Sequence, residues 1–261
     1  MSADGGQLDG RTVLITGAGA GLGRGVALAA AKAGAHVVVT SLSENGRKVE
    51  AEIRAAGGAA TWVACDVTDR AAVEAAVAAA VRVSGRLDGL VHNALARPKW
   101  EEDPRGGKVA ELPLELWDHE ARVALRGAYY CAVAAHPHLK EAKGRLILVS
   151  SASGLEGTPT QAAYAACKGA LRGMTKSLAR EWGPDAITVN SVSPYVTTPS
   201  FSAWWDKNPE LKAEGEGLTA LGYIGDPEED VAPAFTFILS DAAHYITGQT
   251  FAVDSGRYMS L

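Results

Sequence analysis

Short runs of β-branched residues alternate with longer, alanine-rich stretches along almost the whole chain. The runs TVLIT (12–16), HVVVT (36–40) and TWVACDV (61–67) are each followed by a stretch that reads as a helix. Alternating strands and helices are typical of βαβ units, whose parallel strands are covered by helices on both faces. The apolar runs are nearly continuous, as expected of strands buried on both sides. The pattern predicts an α/β fold with a doubly wound, mainly parallel sheet.

The alternation predicts seven strands in one domain. The remaining strands are expected at 87–93, 145–151, 186–193 and 250–254, and the main helices at 21–34, 47–56, 70–84, 114–139 and 162–182. No linker, repeat or low-complexity segment divides the 261 residues, so a single domain over 1–261 is expected. Two long irregular segments, 94–113 and 194–227, follow strand ends, where open α/β sheets bind their ligands.

Composition and charge argue against several classes of protein. The net charge is −5 and no basic block is present, so nucleic acid and anionic membranes are not expected as partners. No apolar run reaches the roughly 18 residues of a membrane-spanning helix, and the N-terminus lacks a signal-peptide core. Cys65, Cys131 and Cys167 have no spacing typical of a disulfide framework or a metal site. We therefore expect a cytoplasmic protein with reduced thiols and no metal.

A glycine-rich turn, TGAGAGLG (16–23), joins the first predicted strand to the first helix. Glycines there permit positive φ angles and let the backbone approach a pyrophosphate, which the helix N-terminus stabilises. Gly17, Gly21 and Gly23 carry a TGxxxGxG spacing, with Gly19 as an additional glycine. Because the turn lies between a strand and a helix, it predicts a nucleotide-binding site.

Other polar residues stand where later strands end. Asp66 closes the third strand, where its carboxylate could accept a hydrogen bond from an adenine amino group; a helix cap or turn is the alternative. Asn93 ends the fourth strand and Ser151 the fifth. Tyr164 and Lys168 are four residues apart, which places them on one face of a helix. Such a pair alone is also typical of a solvated helix face.

Together these motifs resemble the short-chain dehydrogenase/reductase family. TGAGAGLG, CDV (65–67), HNA (92–94), Ser151 and the Tyr164–Lys168 pair occur in that family's order and spacing, and the terminal AVDSG extends the match over essentially the whole chain. The resemblance implies a Rossmann-type seven-stranded sheet, a bound NAD or NADP, and a homotetramer or homodimer. The family's cofactor-binding residues also align with Leu22, Val67, Pro194, Val196 and Thr198.

The resemblance also implies an oxidoreductase that transfers a hydride between NADP(H) or NAD(H) and a carbonyl or secondary alcohol. Hydride addition to a carbonyl creates an alkoxide, which Tyr164 would protonate while Ser151 donates a hydrogen bond to the same oxygen. The ordinary pKa of tyrosine is about 10. We expect the Lys168 ammonium and an oxidised nicotinamide to lower the pKa of Tyr164. No base precedes Cys167, so a packing thiol is expected there.

Three positions depart from the family pattern. Leu95 stands where a glycine is usual, and Ala124 replaces an asparagine that helps to hold a proton-relay water. The segment PYVTT (194–198) lacks the glycine that follows the proline in the family pattern. If that glycine is deleted, which we favour, Val196 and Thr198 are the residues equivalent to those that bind the carboxamide. If it is not deleted, Tyr195 replaces it. A nucleotide-binding sensor or scaffold with weak or no turnover is therefore an alternative. A halohydrin-dehalogenase-like activity is disfavoured, because those relatives have arginine for the lysine and lose the glycine turn.

The end of the second strand favours NADP(H), with NAD(H) possible. NAD-preferring relatives carry an acidic residue there, which binds the ribose 2′-hydroxyl, whereas this chain has Ser41. SLSENGRK (41–48) also resembles a loop of 3-oxoacyl-(acyl-carrier-protein) reductases, which use NADPH. Arg47 and Lys48 either add positive charge for a 2′-phosphate or are solvated helix residues.

The substrate is expected to be a small molecule: a medium-sized apolar ketone, secondary alcohol or acyl thioester. The aromatic residues after the sixth strand either line an apolar pocket or pack against a neighbouring subunit; they are Tyr195, Phe201, Trp204 and Trp205.

Overall fold

A seven-stranded sheet forms the centre of the computed structural model, which describes residues 6–96 and 107–259. The strand order is β3-β2-β1-β4-β5-β6-β7, and every neighbouring pair runs parallel. The strands are β1 (Thr12–Ile15), β2 (His36–Ser41), β3 (Ala59–Ala64), β4 (Gly89–His92), β5 (Arg145–Val149), β6 (Thr188–Pro194) and β7 (Thr250–Val253). The predicted doubly wound parallel sheet is confirmed.

Helices cover both faces of this sheet. They are α1 (Gly21–Lys32), α2 (Asn45–Ala55), α3 (Arg70–Ser84), α4 (Leu114–Ala121), α5 (Gly127–Ala142), α6 (Ser153–Glu156), α7 (Ala162–Trp182), α8 (Pro199–Trp205), α9 (Pro209–Gly217) and α10 (Ala232–Leu239). None of these helices in the described part of the chain is long and apolar enough to cross a membrane.

Consecutive residues of a strand pack into opposite layers of the core. In β1, Val13 and Ile15 belong to one buried apolar cluster, which α1 and α10 complete. Leu14 belongs to the other, which is completed mainly by α3, α5 and α7. Side chains alternate across a strand, so covering both faces requires apolar residues at every position. The continuous apolar runs of the sequence therefore follow directly from this architecture.

Two strands end at least two residues earlier than predicted. The third was expected to reach residue 67, but β3 ends at Ala64, and Asp66 Oδ1 accepts hydrogen bonds from N and Oγ1 of Thr68, both at 2.8 Å. This turn carries the chain away from the sheet and towards α3. β5 ends at Val149, so Ser151 lies in the segment that follows the strand.

The helix predicted over 114–139 is interrupted. A π-helical turn, Arg122–Arg126, separates α4 from α5, and the amide of Gly127 bonds to the carbonyl of Arg122. Such turns insert a residue into a helix and are frequent at functional sites.

The two segments predicted as irregular also differ from that expectation where they are described. The segment 194–227 contains α8 and α9, whose first turns both begin with proline, the residue favoured there. Within 94–113, the part from 97 to 106 lies outside the described residues.

The strand order reverses between β1 and β4. From β1 the chain winds outwards to β3, and it then returns to β4 on the other side of β1 before continuing to β7. In open α/β sheets a crevice forms at this reversal, beside the carboxyl ends of the two strands. The glycine-rich turn and Asn93 lie at these two ends.

Candidate active site

The glycine-rich turn leaves β1 in a conformation that only glycine adopts readily. Gly17 has φ 66° and Gly21 has φ 54°, both in the left-handed region. A Cβ at Gly17 would lie 2.9 Å from Cα of Ala94, and a Cβ at Gly23 would lie 2.5 Å from the carbonyl oxygen of Gly17. The turn is therefore compact, and α1 begins directly behind it.

Asn93 holds this turn in place. Its Nδ2 donates hydrogen bonds to the carbonyl oxygens of Thr16 at 3.0 Å and Gly17 at 3.2 Å. Thr16 Oγ1 in turn accepts bonds from the amides of Asn93 and Ala94, each at 3.0 Å. The ends of β1 and β4 are thereby joined. The Asn93 side chain is directed at the turn.

A cleft of about 420 Å³ lies in front of the turn. Its lining comes from the turn, from the start of α8 and from the segment before α10: Gly19, Ala20, Gly21, Arg24, Thr197, Thr198, Pro199, Ser202, Asp226, Pro227 and Glu228. A Cβ at Gly21 would be 3.6 Å from Cβ of Thr198, so the start of α8 closely covers the turn. Thr198 also caps α8 by accepting a bond from the amide of Phe201 at 3.5 Å. Leu22 is buried behind the turn.

At the end of β2, Ser41 is buried and its hydroxyl is engaged. Oγ donates to the carbonyl oxygen of Ser43 at 2.6 Å and accepts from Nε1 of Trp62 at 3.0 Å. The guanidinium of Arg47 lies 4.5 Å from the centre of the Trp62 ring and is paired with the exposed Glu44. Arg47 is thus held beside the end of β2, and Lys48 is exposed next to it.

Asp66 and Val67 follow β3. Asp66 is exposed and organises its own turn through Thr68, which leaves Oδ2 free of any bond within the described residues. Val67 is buried against Gly127, at the end of the π turn.

Ser151, Tyr164 and Lys168 are brought together beside the ends of β5 and β4. The Lys168 ammonium donates to the carbonyl oxygen of Val149 at 2.7 Å and lies 5.5 Å from the centre of the Tyr164 ring. Ser151 interacts with the Tyr164 hydroxyl, and its Oγ accepts a bond from the amide of Ser153 at 3.2 Å. A Cβ at Gly154 would be 2.5 Å from the amide of Gly169, so α6 packs tightly on α7 next to this cluster.

Burial governs the protonation of this cluster. It lowers the pKa of Lys168 to about 8, although the Glu120 carboxylate acts in the opposite direction. Burial also raises the pKa of Tyr164, while the interaction with Ser151 lowers it and the charge of Glu120 raises it. Among the protein groups alone, desolvation of the phenolate therefore dominates, and the lowering expected from Lys168 together with an oxidised nicotinamide stays a prediction.

Two groups near Lys168 were not predicted. His92 is buried, and its Nε2 bonds to the carbonyl oxygen of Ala124 at 3.1 Å; since a carbonyl only accepts, Nε2 carries the proton. Burial and the charge of Lys168 lower the pKa of His92 to about 4, so its ring is neutral. Glu120 is a buried carboxyl group one turn before Ala124. Their four-residue spacing puts both on one helix face, which is the signal in the sequence that could have identified Glu120.

The remaining positions that depart from the family pattern are Leu95, which follows β4, and the segment that follows β6. Leu95 is 46 % exposed. Pro194 ends β6, and the segment after it is fixed by a bridge between Val196 and Gly225. The Tyr195 ring is partly buried, 5.9 Å from the guanidinium of Arg257.

The cysteines are buried and unpaired. Burial raises the pKa of Cys65 and of Cys167 to about 11, so both thiols stay protonated. Within residues 6–96 and 107–259, no cluster of His, Cys, Asp and Glu side chains could hold a metal ion.

The residues present fit a dinucleotide. The glycine turn at the strand reversal offers backbone amides and room for close approach, and the cleft continues from it to the start of α8. The Ser151–Tyr164–Lys168 cluster lies beyond the ends of β4 and β5, next along the same edge of the sheet.

Comparison with known proteins gives a consistent result. Residues 17–257 match a family described as enoyl-(acyl carrier protein) reductase. The chain is 36% identical to the short-chain reductase protein NovJ of Streptomyces niveus over 251 residues, which cover 94% of this chain and 92% of that protein. It is 34% identical to meso-2,3-butanediol dehydrogenase of Serratia marcescens, with 97% of each chain covered.

A solved structure agrees with the fold. The crystal structure described as a short-chain alcohol dehydrogenase from Sinorhizobium meliloti 1021 superposes with a TM-score of 0.88 at 33% identity, covering 97% of this chain and 98% of that one. The relatives are named as dehydrogenases and reductases, and they span nearly the same length as this chain. The chain therefore belongs to the short-chain dehydrogenase/reductase family and is an NAD(P)-dependent oxidoreductase acting on alcohol or carbonyl substrates.

Proposed function

We propose that this enzyme interconverts a carbonyl and a secondary alcohol with NADP(H), using Tyr164 as the acid/base. The observation that carries the proposal is the cluster of Ser151, Tyr164 and Lys168 beside the glycine-turn cleft. Ser151 interacts with the Tyr164 hydroxyl, and the Lys168 ammonium is 5.5 Å from the tyrosine ring. The nicotinamide supplies or accepts the hydride when it is bound.

The side chains of the cluster divide the remaining work. In reduction, the Tyr164 hydroxyl donates its proton to the substrate oxygen, and in oxidation the phenolate accepts that proton. Ser151 donates a hydrogen bond to the same oxygen and stabilises the charge that develops on it. Lys168 is fixed by Val149, and its positive charge favours the phenolate form of Tyr164.

The cofactor contacts are assigned in the same proposal. The pyrophosphate would lie against the glycine turn, and the adenine and nicotinamide ends would lie towards β3 and β6 respectively. The proposed cofactor-binding residues are Gly17, Gly19, Gly21, Leu22, Gly23, Ser41, Asp66, Val67, Asn93, Tyr164, Lys168, Pro194, Val196 and Thr198. Oδ2 of Asp66 makes no bond to any residue that the structure describes, which supports an adenine contact. The Asn93 bonds support a role in holding the turn.

The preference for NADP(H) is supported by the end of β2. Ser41 provides no carboxylate there, and Arg47 is held next to it over the Trp62 ring. A test is to titrate NADPH and NADH into the wild type, Arg47→Ala and the control Arg70→Ala, whose exposed guanidinium pairs with Glu74 in α3. We expect Arg47→Ala to weaken NADPH binding about fivefold, or about 1 kcal/mol, and to leave NADH binding unchanged. Tighter NADH binding by the wild type would contradict the preference.

The substrate we propose is a medium-sized apolar ketone, secondary alcohol or acyl thioester. Within α8, Phe201 and the buried Trp205 pack against each other with ring centres 5.3 Å apart and planes tilted by 41°. Tyr195, which follows the end of β6, is partly buried. Aromatic side chains of this kind suit an apolar ligand. Butanediol oxidation, the activity named for one relative, falls in the same chemical class of secondary alcohols.

A panel of ketones and secondary alcohols, assayed with both cofactors, tests the function directly. We expect NADPH consumption with at least one apolar ketone. Cofactor binding without turnover of any compound would instead support the sensor or scaffold alternative.

We further propose a cytoplasmic homodimer or homotetramer. Tyr129 and Val133 form an exposed apolar strip on α5, which supports an interface between subunits. Light scattering after gel filtration should give a mass at least twice 27.1 kDa, and a monomer would contradict this assignment.

A further inference from the structure

Glu120 is a buried carboxyl group with one oxygen that lacks a hydrogen-bond partner among the described residues. Only 7 % of the residue is exposed, and Oε1 has no hydrogen-bond partner in the part of the chain that the structure describes. Burying an unpaired carboxylate is costly, and burial raises the pKa of Glu120. Buried positions are usually occupied by apolar residues, so the carboxyl group at this position indicates a functional role.

The groups that face Glu120 are those of the active site. From α7, Tyr164, Cys167 and Lys168 all interact with its charge. From β4, the neutral His92 contacts the Ala124 carbonyl one turn further along. The π turn between α4 and α5 adds two arginines, Arg122 and Arg126, whose side chains are exposed to solvent. Lys168 is thus the buried cation in this set.

The proposed reaction needs a buried source of protons. Each reduction removes a proton from Tyr164, and the adjacent group able to replace it is the Lys168 ammonium. Lys168 is only 3 % exposed, and the bond from its Nζ goes to the carbonyl oxygen of Val149, which cannot supply a proton. The amine must therefore regain its proton by another route, and Ala124, in the nearby π turn, has no titratable side chain.

We propose that Glu120 exchanges this proton with Lys168 and so connects the active site to solvent; the proposal rests on the function proposed above. In reduction, the Lys168 ammonium gives a proton to the Tyr164 phenolate, which leaves a neutral amine and a phenol. The Glu120 carboxylate takes up a proton from solvent and passes it to that amine through a bridging water, which restores both the ammonium and the carboxylate. Oxidation runs the same transfers in reverse. Glu120 touches neither substrate nor cofactor and is a positioning residue that acts through Lys168.

The coupling of Glu120 to Lys168 is tested without cofactor. Lysine labelled with ¹³C at Cε reports the charge of each amine by NMR, and Lys168→Arg identifies the Lys168 signal by its loss. The wild-type signal should titrate near pH 8. Because the Glu120 carboxylate stabilises the ammonium, Glu120→Gln should lower this pKa further. Asp118→Asn, which changes an exposed carboxylate of the same helix, should leave it unchanged. An unchanged Lys168 titration in Glu120→Gln overturns the proposal.

Kinetics then test the transfer itself. In Glu120→Gln, kcat should fall roughly 10- to 100-fold, at or below the lower limit of direct acid–base catalysis, while KM and NADPH affinity stay unchanged. The solvent deuterium isotope effect on kcat should rise and the pH profile should shift, and Glu120→Asp should restore part of the rate. Asp118→Asn should behave as wild type.

The outcomes separate two failures. If the wild type turns over but Glu120→Gln matches it in kcat and pH profile, Glu120 is only a neighbouring charge and the proposal is wrong. If the wild type reduces nothing in the substrate panel, the proposed function fails, and the NMR titration alone decides whether Glu120 and Lys168 are coupled. Thermal unfolding of Glu120→Gln at or above the wild-type temperature confirms that the variant is folded.

Discussion

Replacing Lys168 by methionine removes a buried ammonium group and keeps most of its volume. Lys168 is 3 % exposed, and burial lowers the pKa of its amine from 10.5 to about 8. The folded protein therefore binds fewer protons at this site than the unfolded chain between pH 8 and pH 10.5. The stability of the wild type should rise with pH in that window, because the penalty for burying the charge is complete below pH 8 and is lost as the pH rises.

The size of this penalty follows from the pKa. At roughly 1.4 kcal/mol per pH unit, the lowered pKa of Lys168 destabilises the folded protein by about 3 kcal/mol at pH 7 and by about 1 kcal/mol at pH 9.5. The substitution also removes the 2.7 Å hydrogen bond to the Val149 carbonyl, which lowers the free energy of unfolding by about 1 kcal/mol. We therefore expect Lys168→Met to raise the free energy of unfolding by about 2 kcal/mol at pH 7 and to leave it nearly unchanged at pH 9.5.

Urea unfolding of the cofactor-free protein at the two pH values measures this difference. Lys176→Met is the matched control, because Lys176 is an exposed lysine on the same helix, α7. Its effect on the free energy of unfolding should be within about 0.5 kcal/mol at both pH values. A Lys168→Met effect that is the same at pH 7 and pH 9.5, or a loss of stability at pH 7, would refute the reasoning that Lys168 is held as a strained buried cation.

Two further predictions concern the glycine-rich turn. Asn93→Ala removes the bonds to the Thr16 and Gly17 carbonyls, so the free energy of unfolding should fall by about 2 kcal/mol and NADPH should bind at least tenfold more weakly; unchanged NADPH affinity by fluorescence titration would show that the turn does not depend on Asn93. Gly23→Ala places a Cβ 2.5 Å from the Gly17 carbonyl oxygen and should lower stability by about 1–3 kcal/mol in urea unfolding. Its control, Gly173→Ala in α7, meets no atom within 4 Å and should raise stability by about 0.5–1 kcal/mol; equal effects of the two would contradict the close packing of the turn.

The sheet could be predicted because its physical signal is strong and local. A parallel strand covered on both faces requires continuous apolar residues, and TVLIT and HVVVT carry this signal without help from the rest of the chain. The glycine turn is predictable for a related reason, since positive φ at Gly17 and Gly21 excludes most other residues. Both features are set by the backbone itself.

The site was less predictable where tertiary packing decides the outcome. The π turn at Arg122–Arg126 contains no residue that forces it, and its Ala124 carbonyl bonds to His92, which is distant in sequence. The burial of Glu120 is visible only after α4 is packed against α7. The raised pKa of Tyr164 in the protein alone was not predictable, because it comes mainly from the loss of water around the phenolate, which only the packed structure shows.

The central claim is that Tyr164 is the acid/base of an NADP(H)-dependent carbonyl reaction. Tyr164→Phe removes only the hydroxyl oxygen, and Tyr245→Phe, at a tyrosine that is 93 % exposed, is the matched control. With a substrate identified from the panel, Tyr164→Phe should reduce kcat by about a thousandfold or more, within the range for general acid–base catalysis, while its NADPH affinity remains within twofold of the control. Turnover by Tyr164→Phe at the rate of Tyr245→Phe would contradict the account.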